Sequence, residues 1–345
     1  MKISTLFLMT LIVLSACSDN KPKQIEKAFY HWKSGNVYND NKELNKLGVQ
    51  KLYYRLFEVD YDAVRGNYPM SKNRPSFYEF RGIESIEVIP VVFIKNEILK
   101  HNDKQSLNQL ADDIVYLVDK YRTGEYGSDA AIEFKELQID CDWTKSTKEN
   151  YFYLLKKIKE ISGKTISCTL RLYPYAYPKI MGVPPVDKVT LMCYNLIQPL
   201  SNQDKNSILD VKELEKYLVG KEKYPLHMDI ALPVFYWSQL YKNNQFVELL
   251  DKSSAELKDF TKEVEPMWYE VTKDTVVNYS QYFKTGDRIK CEEVSTETLR
   301  KALDLIAENV VLDETVTITL FDLKESTFKT YSNEELSSFY NALLK

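Results

Sequence analysis

The segment Glu136-Leu-Gln-Ile-Asp-Cys-Asp-Trp-Thr144 holds the densest set of side chains able to do chemistry. Side chains alternate along a strand, so Gln138, Asp140 and Asp142 share one face while Leu137, Ile139 and Cys141 share the other. Carboxylates at i and i+2 on a buried strand are costly unless they are hydrogen-bonded or functional. Other runs offer further polar groups. Arg171 and Tyr173 share a strand face and could contact ligand hydroxyls, whereas Asp229, inside an apolar run, reads equally as a structural hydrogen-bond partner or an inward-facing site group. Trp32, Trp143 and Trp237 each fall at or just beyond the C-terminal end of an apolar run. A flat ring there is either packing or a platform beneath a sugar. His31 reads as a satisfied core histidine. No G-x-S-x-G elbow supports Ser-His-Asp chemistry.

The elements that would position these groups are short β-rich runs alternating with helices. The strands predicted are 28–32, 51–59, 86–94, 136–142, 165–173, 188–195, 227–235 and 315–323, several nearly continuous in Val, Ile, Leu and Tyr. Between them, Ser106–Tyr121 carries Leu107, Leu110, Ile114, Leu117 and Val118 on one stripe. Ser146-Thr-Lys-Glu149 reads as a capping box that opens a helix stopped by Gly163, and Leu299–Val310 is amphipathic. Ser332-Asn-Glu-Glu335 is a second capping box before a terminal helix. The alternation predicts an α/β fold, a (β/α)₈ TIM barrel over residues 27–345, with a small β-rich insertion at about 265–294 between strands 7 and 8. The rival, an open doubly wound sheet, lacks a Gly-rich phosphate loop after any strand. In a barrel, Asp142 reaches the C-terminal mouth, where active sites of this fold form. Glu58, followed by Asp60 and Asp62, would point to the same mouth, unless all three decorate a solvated loop.

The chain has 345 residues, 44% hydrophobic and 28% charged, and 25 tyrosines, a residue suited to half-wet surfaces such as sugar clefts. A formal charge of −4 without a basic run argues against a nucleic-acid partner. Cys141, Cys168, Cys193 and Cys291 have no CxxC spacing and there are three histidines, so no metal site or cofactor is expected and buried free thiols are. Residues 1–16 pair Lys2 with an apolar Leu6–Leu14 core and end in Leu14-Ser15-Ala16 before Cys17, which resembles a bacterial lipoprotein signal. That resemblance implies cleavage before Cys17, acylation of its thiol and a tether over 17–26. The expected place is the cell envelope, anchored to a membrane on the periplasmic side or at the outer-membrane surface; Ser18-Asp19 does not decide between them.

The strand at 136–144 resembles that of family 18 glycoside hydrolases, the chitinase-like barrels, whose fourth strand reads D-x-x-D-x-D-x-E. Here Asp140 and Asp142 match, while Leu137 stands for the first aspartate and Thr144 for the catalytic glutamate. Met192-Cys-Tyr194-Asn195 is similar to the family's M-x-Y-D, and Ala231-Leu-Pro-Val-Phe-Tyr-Trp237 to its seventh strand. With the leader and Tyr30-His31-Trp32, the latter segment also resembles uncharacterised bacterial lipoproteins of the same barrel pattern. The resemblance implies that Asp142, Tyr194 and Asn195 could hold the acetamido group of a sugar, with Trp237 as the preferred platform. In that family the glutamate protonates the leaving oxygen while the substrate's own acetamide attacks. Thr144 cannot supply that proton, and loss of a general acid removes about 10²–10⁴-fold in rate. Three readings follow. The first is a lipid-anchored glycan-binding protein for N-acetylated or other oligosaccharides, with Asp140, Asp142, Tyr194, Asn195, Trp237 and Arg171 at the site. The second is a glycoside hydrolase using another mouth carboxylate, Asp142 or Glu58, as acid. The third is a structural or partner-binding lipoprotein.

Overall fold

The computed structural model describes residues 22–32, 41–71, 73, 85–123, 132–277 and 281–344. The leader over 1–16, Cys17 and the first part of the expected tether lie outside the described residues. All eight predicted strands form: β1 (Gln24–His31), β2 (Lys51–Asp62), β3 (Glu87–Ile94), β4 (Glu136–Asp140), β5 (Thr165–Leu170), β6 (Lys188–Met192), β7 (His227–Pro233) and β8 (Thr315–Phe321). They pair in parallel in chain order, and β1 pairs with both β2 and β8, which closes the ring into the expected barrel. The last residues of the expected tether, from Gln24, are already part of β1, paired with Thr315 and its neighbours.

Helices cover the outside. One spans Lys104–Thr123, another Lys148–Ser162, a third Thr296–Asn309 and a terminal one Asn333–Asn341. The Ser332 capping box forms as the sequence suggests, and Gly163 takes the left-handed conformation (φ 62°) that ends its helix. The box at Ser146 does not form. Thr147 is the N-cap residue there, and its hydroxyl is engaged instead by the Thr144 N–H at 2.9 Å and by Asn96 Oδ1 at 2.6 Å.

The strands are apolar on the outward face, and the inward face mixes apolar and polar side chains. Leu137, Ile139, Cys141 and Phe29 are fully buried beneath the helical layer, whereas the inward face carries a polar network. At the N-terminal end, Lys188 Nζ lies 2.9 Å from Glu136 and 3.1 Å from Asp229; Asp229 also accepts the Thr317 N–H at 2.7 Å and meets His227 Nε2 at 3.3 Å. One layer higher, Gln138 accepts from Tyr30 Oη at 2.6 Å and donates to Thr190 Oγ1 at 3.2 Å. Burying such groups is tolerable because each has a partner. Asp229 is thereby a structural group at the closed end. Several of the tyrosines serve the core in the same way, Tyr340 donating to the Ala28 carbonyl at 2.7 Å.

The insertion is larger than expected and starts earlier. A five-stranded antiparallel sheet runs from Trp237–Lys242 through Gln245–Leu250, Thr261–Glu265 and Trp268–Val271 to Arg288–Glu292, with a separate hairpin of Thr275–Val277 and Gln281–Phe283. It has its own small core of Leu240, Leu257, Phe260, Val271, Phe283 and Ile289. Asn243 and Asn244, at φ 50° and 60°, make the tight turn that opens it. A buried Lys290–Glu292 pair (2.7 Å) fastens the sheet to the barrel: Lys290 donates to the carbonyls of Asn202 and Lys205, and Glu292 accepts from Ser207 Oγ at 2.6 Å.

Candidate binding site at the barrel mouth

Six of the eight barrel strands, β1, β3, β4, β5, β6 and β8, deliver an inward residue to the C-terminal rim. In register, Tyr30 of β1 lies beside Phe321 of β8, and Phe93 of β3 beside Asp140 of β4. β4 ends at Asp140, so Asp142 leans out over the rim, its side chain about half exposed. β5 ends at Leu170, three residues short of the expected end at Tyr173, because a short helix, Leu172–Ala176, begins there. Pro174 is tolerated in its first turn, where the missing N–H has no helical acceptor in any case. Arg171 is the N-cap residue, and its guanidinium still reaches the mouth, 3.0 Å from Asp142 Oδ1 and 2.9 Å from the Asn195 carbonyl.

The result is a cavity of about 160 Å³ at the centre of the mouth. Tyr30, Trp32, Phe93 and Phe321 form aromatic walls, and Asp140, Asp142, Thr169, Arg171, Tyr194 and Asn195 supply its polar lining. Phe321 is the hub: its ring is 5.2 Å from Tyr194 in a stack, 5.7 Å from Trp32, 5.8 Å from Tyr30 and 5.4 Å from Phe235. One buried polar atom here has no hydrogen-bond partner among the described residues: Asn195, held at φ 53°, has an Oδ1 without a donor, and Tyr194 lines the same cavity beside it. A buried acceptor left open is costly, which makes it a natural anchor for a ligand. Burial holds the Tyr194 phenol well above its usual range, so it stays a hydrogen-bond donor.

Asp140 is almost wholly buried and accepts from Thr169 Oγ1 at 2.5 Å. Burial, and after it the charge of Asp142, raises its carboxyl to about 7, against the opposing pull of Thr169 and Arg171. At neutral pH it is poised between its two forms.

The other sequence-predicted residues are placed differently. Glu58 ends up ion-paired with Arg55, whose guanidinium lies over the Trp32 ring at 5.5 Å, and it is not part of the cavity lining. Asp60 and Asp62 bind Lys95 and Arg65 on a hairpin that prolongs β2 with Gly66–Met70. Trp143 is buried and stacked on Tyr151 at 5.2 Å, so it packs a helix. Trp237 stands one ring back, 5.4 Å from Phe235, with Nε1 donating to Glu292 at 2.5 Å; Trp32 is the tryptophan that reaches the cavity. His31 stacks on Tyr54 at 5.0 Å in the core. The four cysteines of the body are free and buried, and no cluster able to hold a metal occurs among the described residues. Sequence reasoning missed Phe321, Phe93 and Tyr30. Their signal was available in the strand ends, where period-2 alternation puts an aromatic on the inward face.

Solved structures with the same fold include the Bacillus cereus spore cortex-lytic enzyme SleL, with a TM-score of 0.55 at 13% identity over 94% of this chain and 75% of that one. A chitinase from Bacteroides thetaiotaomicron superposes with a TM-score of 0.55 at 11% identity, over 92% of this chain and 96% of its own. The fold is that of the chitinase-like barrels. A Group IV chitinase from Ostrinia furnacalis agrees, at TM-score 0.54, 11% identity and 93% and 99% coverage. No protein-family model matches the sequence, and no curated protein does. In this chitinase-like barrel, Thr144 stands beside the mouth where the motif would carry glutamate, its hydroxyl 3.0 Å from Ser146 Oγ and 3.1 Å from Thr147 Oγ1.

Proposed function

We propose that the chain is a lipid-anchored envelope protein that binds an N-acetylated oligosaccharide at the barrel mouth and does not hydrolyse it by the family's acid. The observation that carries this reading is the convergence of Asp142, Tyr194 and the unpartnered Asn195 Oδ1 on one aromatic-walled cavity. An acetamido group matches that lining. Its N–H can donate to Asp142 or Asn195 Oδ1, its carbonyl can accept from Tyr194, and its methyl can rest on Phe321. The volume of about 160 Å³ corresponds to roughly five waters at about 30 Å³ each, enough for such a group with the edge of a ring. Thr144 supplies no proton at neutral pH, and Glu58 is held by Arg55. Anchoring through Cys17 rests on the Leu14-Ser15-Ala16-Cys17 sequence. Calorimetry with chitotetraose tests the binding, together with release of methylumbelliferone from its chitobioside. Saturable heat without turnover supports the proposal, and no heat at millimolar sugar defeats it. One observation favours a hydrolase as second reading: Asp140, at about 7, keeps a proton near neutral pH. Turnover abolished in Asp140→Asn would establish that reading.

A further inference from the structure

A second, larger cavity of about 400 Å³ adjoins the first, and the Asp142–Arg171 ion pair at 3.0 Å is the wall between them. Its character differs. Pro174, Ile180 and Met181 give it an apolar bed, and Tyr173, 47% exposed, stands at its side with its ring 4.8 Å from that of Tyr177. A half-exposed tyrosine held by a second ring is a stacking surface for a sugar face. Lys145 lines the same cavity, exposed, and its amino group makes no ion pair or hydrogen bond within the described residues. Lys148 lies beside it, with Nζ 3.3 Å from the Ile180 carbonyl and 3.8 Å from the outward Glu149. With Arg171 these cations outnumber Asp142 and Glu149 at the rim of a chain whose formal charge is −4. A local positive rim on an acidic protein selects an anion.

We infer that this cavity takes the sugar unit next to the acetamido one, and that this unit carries a carboxylate read by Lys145. The apolar bed receives the ring or a short arm bearing the acid, and Tyr173 stacks on its face. The inference rests on the proposed oligosaccharide site in the first cavity and adds the class of the neighbouring unit: an alternating neutral and acidic glycan.

Three β-1,4-linked tetrasaccharides separate the possibilities in calorimetry at roughly 50 mM salt, where exposed charges are weakly screened. They are chitotetraose, its analogue with a lactyl ether carboxylate on alternate units, and the same analogue as the neutral lactamide. The acidic tetrasaccharide is expected to bind about tenfold more tightly than the lactamide, the scale of one or two exposed ion pairs. The ratio should fall towards one at high salt and in Lys145→Gln, and persist in Lys145→Arg. Equal affinity for acid and lactamide with chitotetraose still binding overturns the inference alone, as does a preference that survives Lys145→Gln. No binding of any of the three overturns the oligosaccharide site itself.

Discussion

Replacing Asp140 by Asn should stabilise the protein at high pH and do little at low pH. The carboxyl is nearly all buried, and its folded value of about 7 lies far above the 3.8 of an unperturbed aspartate. A group raised in the folded state keeps its proton there while the unfolded chain releases it. Its favourable linkage is therefore complete below about pH 3.8 and is lost as pH rises towards 7. Each pH unit inside that window costs about 1.4 kcal/mol, and the loss levels off above it. From pH 5 to pH 8 the wild type should lose about 3 kcal/mol relative to a variant whose carboxamide cannot ionise. The Asn amide keeps the size of the side chain and can still pair with Thr169 Oγ1, so packing is preserved. The assay is urea denaturation of both proteins at pH 5, 6, 7 and 8, with the difference in unfolding free energy as the readout. Asp142→Asn should recover a smaller part of the same stability, since the Asp142 charge is the second cause of the shift after burial. A difference between Asp140→Asn and wild type that stays constant from pH 5 to 8 would refute the reasoning, because Asp140 would then be ionised throughout.

Lys188→Met strips the cation from two buried carboxylates, Glu136 and Asp229, and should cost about 3–5 kcal/mol in denaturant unfolding at pH 7. Burial alone would raise Asp229, yet the His227 hydrogen bond, the Lys188 charge and the Thr317 N–H outweigh it and hold the carboxyl at about 2. Its stabilisation is thus present above about pH 3.8 and lost as pH falls towards 2, so thermal scans of wild type should show an acid limb that Asp229→Asn lacks. His227 is raised by its hydrogen bond to Asp229 against burial; its contribution is whole below about 6.5 and fades as pH climbs through the raised value, which His227→Gln should remove from the alkaline side. Gly182→Ala should cost about 1–3 kcal/mol in denaturant unfolding, because φ is +78° and the new Cβ would lie 2.7 Å from Phe152 Cε2; unchanged stability would contradict both the backbone strain and the Phe152 contact.

The ring of eight strands was legible because each strand is a dense apolar run bounded by turn residues, and parallel closure follows from the helices between them. The rim was legible in part. Asp140, Asp142, Arg171, Tyr194 and Asn195 do meet in one cavity, since alternation fixes which residues look inward once the strand is known. Trp237 could not be placed from sequence: it reads as the tail of the seventh strand, while the Asn243-Asn244 turn makes it the first residue of an added sheet. Phe321 escaped notice for the opposite reason, being one more apolar residue at the end of an apolar strand, with nothing local to say that four other rings gather around it. The pairing of Glu58 with Arg55 depends on a register shift in β2 between Arg55 and Phe57, which puts both side chains on the inward face.

A crystal structure of the protein soaked with chitotetraose tests the central claim most directly. The account expects an acetamido group in the aromatic cavity, its carbonyl within hydrogen-bond reach of Tyr194 Oη and its N–H facing Asp142 or Asn195. Sugar density elsewhere on the surface, with that cavity holding only water, would contradict it.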